Sequence, residues 1–147
     1  MLRKERVTCP TCNNTVENLR SRFCSNSCQM ENQYQNYIDR WLKGIENGNR
    51  GSGRNLQVTN HIKRYLERKY GAKCTRCGWN KIHPISGKVP LNIEHIDGNP
   101  FNSSEENLTL LCPNCHSLTE SYGAYNKGNG RNLGAIVQRE DRRLAVF

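Results

Sequence analysis

The stretch LNIEHIDGNPFNSSEENLTLLCPNCHS, residues 91–117, decides the fold of this 147-residue chain. Its first four residues alternate between apolar and polar side chains, which is the pattern of a half-buried strand. A polar loop follows over 96–107, and it contains the turn-forming pairs Asp-Gly and Asn-Pro. Residues 108–111 are a short apolar strand, and Pro113 suits the first turn of a helix. The predicted order is therefore strand, long loop, strand, helix.

Cysteine pairs bracket this stretch and recur near the start of the chain. All eight cysteines fall into four short pairs, three spaced C-x2-C and one spaced C-x3-C. The first ten residues lack the apolar run of a secretion signal, so metal sites are favoured over disulfides. We expect two closed tetrahedral zinc sites, each built from two pairs taken in chain order. The first site comprises Cys9, Cys12, Cys24 and Cys28, and the second comprises Cys74, Cys77, Cys112 and Cys115.

The composition limits both the size of the core and the choice of partner. Apolar residues make up 35% of the chain, and the mean hydropathy is −0.85. No stretch approaches the roughly 20 apolar residues that a membrane span requires, so we expect no membrane partner and a cytoplasmic location. Lysine and arginine number 22 against 13 acidic residues, and the resulting formal charge of +9 favours a polyanionic partner.

The first four cysteines are followed by a predicted amphipathic helix. Apolar residues recur at helical spacing along it, and Gly44 is a natural stop. We interpret this face as part of the core and not as a base-stacking surface, because its period fits burial. The face comprises Met30, Tyr34, Tyr37, Ile38, Trp41 and Leu42.

A glycine-rich connector separates this helix from a second predicted helix over 58–70. The connector contains four glycines and two arginines within residues 44–54. Two interpretations stay open: a plain linker with solvated arginines, or an extended strand that follows a groove of DNA. The second helix has an apolar face and a basic side that contains Lys63 and Arg64.

The string IEHIDGN…NLTLLCPNCHSLT, bracketed by cysteine pairs, resembles the HNH endonuclease family. The resemblance covers roughly residues 71–127 and rests on Glu94-His95, Asn107-Leu108 and His116. It is similar to versions found in bacteriophage and bacterial proteins, including free-standing homing endonucleases. The N-terminal cysteine finger also resembles an accessory zinc finger joined to such nucleases. This resemblance implies a ββα unit around one catalytic metal ion, within a small zinc-stabilised α+β fold with extended basic arms.

The resemblance also implies a role for each matching residue. His95 corresponds to the general base that takes a proton from the attacking water, and Asn107 to the residue that braces the loop and orients the base. Glu94 and His116 correspond to ligands of a divalent cation, Mg²⁺ or Mn²⁺. Glu94 stands where the family commonly has Asp, and the longer side chain changes where the ion would lie.

Two features of these residues leave alternatives open. His116 directly follows Cys115 and is an alternative zinc ligand in its place. Glu94 and His95 are neighbours, and neighbouring residues of an ideal strand point to opposite faces. Either the strand bends locally, or Glu94 reaches the ion from the end of the strand.

These features divide the chain into four segments. An N-terminal four-cysteine zinc finger with its helix spans 1–43, the connector spans 44–57, the nuclease domain with the second four-cysteine site spans 58–125, and a basic arm spans 126–147. The basic additions are expected to extend the contact with double-stranded DNA. The candidate DNA-binding residues are Arg50, Arg54, Lys63, Arg64, Lys127 and Arg131.

The resulting functional hypothesis is a metal-dependent DNA endonuclease with two structural zinc ions and one catalytic Mg²⁺ or Mn²⁺. The resemblance allows a phage homing role, in which case the protein would act in the host cytoplasm. A monomer would nick DNA, and a homodimer could cut both strands. The main alternative is a non-catalytic zinc protein that binds or helps to package DNA, and a second alternative is a nuclease that acts on RNA.

Overall fold

The computed structural model describes residues 7–18, 20–52 and 55–125. It is a small α+β protein with three helices and two antiparallel pairs of strands in these ranges. The elements are α1 (Asn26–Leu42), β1 (Asn49–Arg50), β2 (Gln57–Val58), α2 (Asn60–Tyr70), β3 (Asn92–His95), β4 (Leu108–Leu111) and α3 (Pro113–Ser117). The predicted arm over 126–147 and the candidate contacts Arg54, Lys127 and Arg131 lie outside the described residues.

Helix α1 begins within the second cysteine pair, between Cys24 and Cys28. Ser25 caps the helix, and its side chain accepts a hydrogen bond from the backbone N–H of Cys28. The predicted apolar face is buried at its centre, but Met30 and Leu42 are 66% and 48% exposed. The buried stripe is therefore shorter than its sequence period predicted, because the period shows which side of a helix faces the core and not how far the core extends.

Helices α1 and α2 are joined by a cluster of charged and aromatic side chains. The guanidinium groups of Arg64 and Arg68 both reach the Glu31 carboxylate, at 2.5 and 3.0 Å, and both lie over the ring of Tyr34. The hydrogen bond from Arg68 is the largest of the effects that lower the pKa of Glu31 to about 2. Arg64, a candidate DNA contact, thus has a structural partner within the fold.

The hydrophobic core lies between these two helices and the second pair of strands. Strand β3 runs antiparallel to β4, with Asn92 opposite Leu111 and His95 opposite Leu108. The predicted order of strand, long loop, strand and helix is confirmed. The buried cluster comprises Tyr34, Ile38, Trp41, Ile62, Leu66, Cys74, Leu91, Leu108, Leu110, Leu111 and Cys112. The cluster contains residues of both the predicted N-terminal segment and the predicted nuclease segment. The boundary between these two segments stays a prediction.

The described part of the connector forms a short hairpin that packs on this core. Strand β1 pairs with β2, and the carbonyl of Gly48 accepts a hydrogen bond from the backbone N–H of Thr59. Gly48 is buried with φ +77°, and a Cβ there would lie 2.7 Å from Ile62, 2.9 Å from the Trp41 indole nitrogen and 3.0 Å from Ser103. Only glycine permits both this conformation and this contact. Within the described residues, no helix is long and apolar enough to cross a membrane.

Replacing Gly48 by alanine should therefore destabilise the fold strongly. We expect Gly48→Ala to lower the free energy of unfolding by about 3 kcal/mol, through left-handed strain and overpacking together. Gly44→Ala is the matched control, because Gly44 also has a positive φ of +72° but no atom within 4 Å of the point that a Cβ would occupy. The control should lose only about 1 kcal/mol, from strain alone. Urea unfolding of the zinc-loaded variants measures both, and equal losses would contradict the packing of the connector.

Candidate active site

The two cysteine clusters that the spacing predicted are confirmed. In each, the four Sγ atoms lie within 4.8 Å of one another: Cys9, Cys12, Cys24 and Cys28 in one, and Cys74, Cys77, Cys112 and Cys115 in the other. Four convergent sulfurs of this kind fit a tetrahedral zinc ion with no open position. In the first cluster the pKa of Cys9 is lowered to about 6, chiefly by the backbone N–H of Cys24, and the pKa of Cys24 is raised to about 12, chiefly by its hydrogen bond with the Cys12 side chain. Four sulfurs this close become thiolates together only when a cation compensates their charge, which is what zinc would supply.

The second cluster fixes the start of α3 against the strands. Cys112 is the N-cap of this helix, and its Sγ accepts a hydrogen bond from the backbone N–H of Cys115. Cys74 and Cys112 are also members of the hydrophobic core, 1% and 4% exposed. His116 is not part of the cluster, and its imidazole faces Glu94 instead. The structure therefore favours Cys115, and not His116, as the fourth zinc ligand.

Glu94 and His116 meet beside the strand pair. Glu94 is 9% exposed, and its Oε2 lies 2.6 Å from Nδ1 of His116. This approach lacks the geometry of a hydrogen bond, so the buried Nδ1 has no hydrogen-bond partner among the described residues. The other carboxylate oxygen accepts a hydrogen bond from the Ser121 hydroxyl. Nδ1 of His116 is thus a buried nitrogen without a hydrogen-bond partner, next to a carboxylate oxygen of Glu94. These two atoms are suited to be two ligands of one divalent cation.

His95 contacts a different set of residues. Its Nε2 lies 3.2 Å from Oγ of Ser103, which is 3% exposed. Glu94 lines an open cleft of about 790 Å³, whereas His95 is not among the cleft-lining residues. The strand thus directs the two neighbouring side chains to different partners, as its alternation requires.

Asn107 holds the loop between the strands. Its Nδ2 donates to the carboxylate of Asp97 at 2.8 Å and to the carbonyl of Asn102 at 2.7 Å, and its Oδ1 accepts from the backbone N–H of Asp97 at 3.0 Å. The loop is closed by a backbone hydrogen bond from Ile96 to Asn107. These contacts are those of a bracing residue, which is the role that the resemblance implies for Asn107.

The sequence did not identify two charged residues of the cleft, Asp97 and Arg76. Burial alone would raise the pKa of Asp97, but hydrogen bonds from Asn102, from the backbone of Asn99 and from Asn107 outweigh it and lower the pKa. Arg76 belongs to the third cysteine pair, and its Nη1 donates to the carbonyl of Cys115 at 3.3 Å. It is the only cationic side chain among the described residues that line the cleft.

One phage protein is similar to part of this chain. The chain is 38% identical over 74 residues to "H-N-H endonuclease F-TflIV" of Escherichia phage T5. The match covers 50% of this chain and 29% of the relative, so it spans less than a third of that protein. No family model matches the chain, and no solved structure matches it. The similarity supports a relationship to HNH nucleases, in agreement with the resemblance of residues 91–117.

The described candidate DNA contacts differ in their surroundings. Arg50 donates from Nη2 to the side chain of Gln57 across the hairpin, at 2.9 Å. Lys63 is half-buried on α2, and Arg64 forms the ion pair with Glu31 described above. Contact of these residues with DNA stays a prediction.

The two cysteine clusters should differ in what their loss does to the fold. Wild-type protein is expected to hold two zinc ions by native mass spectrometry, and Cys112→Ser and Cys12→Ser one each. Because Cys112 lies in the core, its variant should also lose the main thermal unfolding transition. Cys12 is exposed, so Cys12→Ser should keep that transition. A fully folded Cys112→Ser protein that still holds two zinc ions would refute the grouping.

Proposed function

We propose that this protein is a metal-dependent DNA endonuclease of the HNH type, with two structural zinc ions and one catalytic Mg²⁺ or Mn²⁺. The contact between Glu94 and His116 supports this most directly, because it leaves a buried imidazole nitrogen unpartnered beside a carboxylate. The contact lies in a strand, loop, strand and helix arrangement that carries the residues of the resemblance. The name of the phage relative, an H-N-H endonuclease, supports the same reaction class.

Each residue would have a distinct part in the hydrolysis. Glu94 and His116 would hold the divalent cation, which when bound neutralises charge on a phosphate oxygen and on the leaving 3′-oxygen. His95 would accept the proton of the attacking water, whose oxygen forms the new bond to phosphorus as the bond to the 3′-oxygen breaks. The products would carry 5′-phosphate and 3′-hydroxyl ends. Asn107 would keep the loop that follows His95 in one conformation, through its bonds to Asp97 and Asn102.

The charge of the cleft sets a requirement for a nucleic acid substrate. Glu94, Asp97 and Glu120 make the cleft acidic, so a phosphodiester needs cations to enter it. Arg76 would supply one such cation at the wall of the cleft, and a divalent cation held by Glu94 and His116 would supply another. Lysine and arginine side chains outside the cleft would supply contacts to the flanking phosphates. One such cleft would cut one strand, so we propose that a monomer nicks and that a homodimer could cut both strands, and either form is compatible with a phage homing role.

Cleavage of supercoiled plasmid tests the proposal. Wild-type protein should convert the plasmid to the nicked form with Mg²⁺ or Mn²⁺, and His95→Ala and Glu94→Ala should lower the rate by about 100-fold or more, within the range for loss of a general base. His61→Ala is the control, since this exposed histidine of α2 lies against the rings of Tyr34 and Tyr37 and should cleave as wild type does. Fluorescence anisotropy with labelled duplex should show unchanged affinity for His95→Ala.

The same experiment separates the alternatives. Unchanged cleavage by His95→Ala would refute its assignment as the base. Binding of DNA by wild-type protein without cleavage under either metal would favour the non-catalytic DNA-binding or packaging protein. Digestion of RNA but not of DNA in a parallel assay would favour the RNA nuclease.

Arg76 offers a further prediction at the same site. Arg76→Ala should slow cleavage by about 10- to 100-fold, because a cation that faces the scissile phosphate acts on the charge of the transition state. Arg76→Lys should recover part of the rate, since it keeps the charge but not the forked geometry. Arg22→Ala, an exposed arginine next to Phe23, is the control for loss of one positive charge. Equal rates for Arg76→Ala and Arg22→Ala would exclude a local role.

A further inference from the structure

The hairpin of the connector reaches the candidate general base through one buried serine. Ser103 is 3% exposed, and its hydroxyl lies between two side chains from distant parts of the chain. Its Oγ donates to Oδ1 of Asn49 at 2.7 Å and lies 3.2 Å from Nε2 of His95. Asn49 belongs to β1, so a segment outside the resemblance contacts the centre of the proposed nuclease.

The chemistry of a hydroxyl group sets the direction of these bonds. Serine has a single O–H donor, and here that donor is directed to the Asn49 carbonyl oxygen. Towards His95, Ser103 can therefore only accept, and Nε2 must carry the hydrogen. In a neutral imidazole the other nitrogen, Nδ1, is then the acceptor.

The surrounding contacts hold this chain of bonds in one place. The carbonyl of Ser103 accepts a buried hydrogen bond from the Trp41 indole at 2.8 Å. The backbone N–H of Asn49 donates to the side chain of Asn47, and the preceding Gly48 packs against both Trp41 and Ser103. Ser103 cannot move without disturbing its buried bond with Trp41, and Asn49 directly follows the closely packed Gly48.

We propose that Asn49 and Ser103 are positioning residues that keep the proton of neutral His95 on Nε2, and so present Nδ1 as the nitrogen that accepts the proton of water. The inference rests on the proposed function, because it gives the connector a part in that reaction. Asn49 acts through Ser103, and Ser103 acts through His95. Neither residue needs to contact the substrate.

Long-range ¹H–¹⁵N NMR of zinc-loaded protein without Mg²⁺ tests the proton position directly. The signals of His95 are assigned by their loss in His95→Ala. Wild type should show the Nε2-protonated tautomer at a pH where the ring is neutral. Asn49→Asp keeps the acceptor and should keep this signature, whereas Asn49→Leu and Ser103→Ala should give a mixture of tautomers. Ser104→Ala is the control, because the side chain of this exposed neighbour makes no capping bond.

Cleavage kinetics then separate positioning from binding. Asn49→Leu and Ser103→Ala should lower kcat by about 10- to 100-fold, the usual cost of losing an orienting partner, and leave KM within about threefold. Asn49→Asp and Ser104→Ala should stay near the wild-type kcat. Thermal unfolding identifies any variant that fails to fold, and the pair Asn49→Asp and Asn49→Leu keeps the comparison at one position.

Three results would overturn the inference. One is an Nδ1-protonated ring in wild type, and another is an unchanged tautomer in Ser103→Ala. The third is a loss of kcat in Asn49→Asp as large as in Asn49→Leu, which would mean that the asparagine acts as donor and that the chain of bonds runs the other way. If wild-type protein cleaves no DNA, the proposed function fails, and the NMR result still decides the position of the proton.

Discussion

The convergence of four thiolates, from Cys74, Cys77, Cys112 and Cys115, is the constraint on which the rest of the site depends. Helix α3 has only five residues, and a helix of that length does not persist without tertiary contacts. Its first turn is held because Cys112 caps it and Cys115 lies within it. The next residue, His116, is thereby brought against Glu94 on the neighbouring strand. The four-cysteine cluster therefore also sets the contact between Glu94 and His116.

Local sequence pattern was sufficient where the structure depends on short-range contacts. Alternation, turn residues and proline placement predicted β3, the loop, β4 and α3, because each element is determined by residues close in the chain. Spacing placed the cysteines in short pairs for the same reason, whereas the joining of two pairs in each cluster was predicted only from their order in the chain. The structure of the connector could not be predicted from local sequence. Position 48 requires glycine because of its contacts with Trp41 and Ile62, which lie on two separate helices. Glycine content alone cannot distinguish a loose linker from a segment packed too closely for any side chain.

The candidate site could be predicted in part. The resemblance identified Glu94, His95, Asn107 and His116 as a set, and the structure gives Asn107 the contacts of a brace and puts His116 against Glu94. Asp97 looked like a turn residue, which it is, but its carboxylate also receives the bonds that hold the loop. Arg76 could not be identified, because its position in the cleft follows only from how the cysteine pair folds onto α3.

Basic residues do not by themselves indicate a nucleic-acid partner, because some of them form ion pairs within the fold. Arg64 and Arg68 share the carboxylate of Glu31 and the ring of Tyr34, so these two positive charges join α1 to α2. Because α1 is held in this way, Trp41 at its far end can donate to the carbonyl of Ser103, the residue in contact with His95. The arginines of α2 therefore act on the site by fixing a helix, whether or not they ever meet a phosphate. In a small protein with few apolar residues, a positively charged side chain can stabilise the fold as well as bind a ligand.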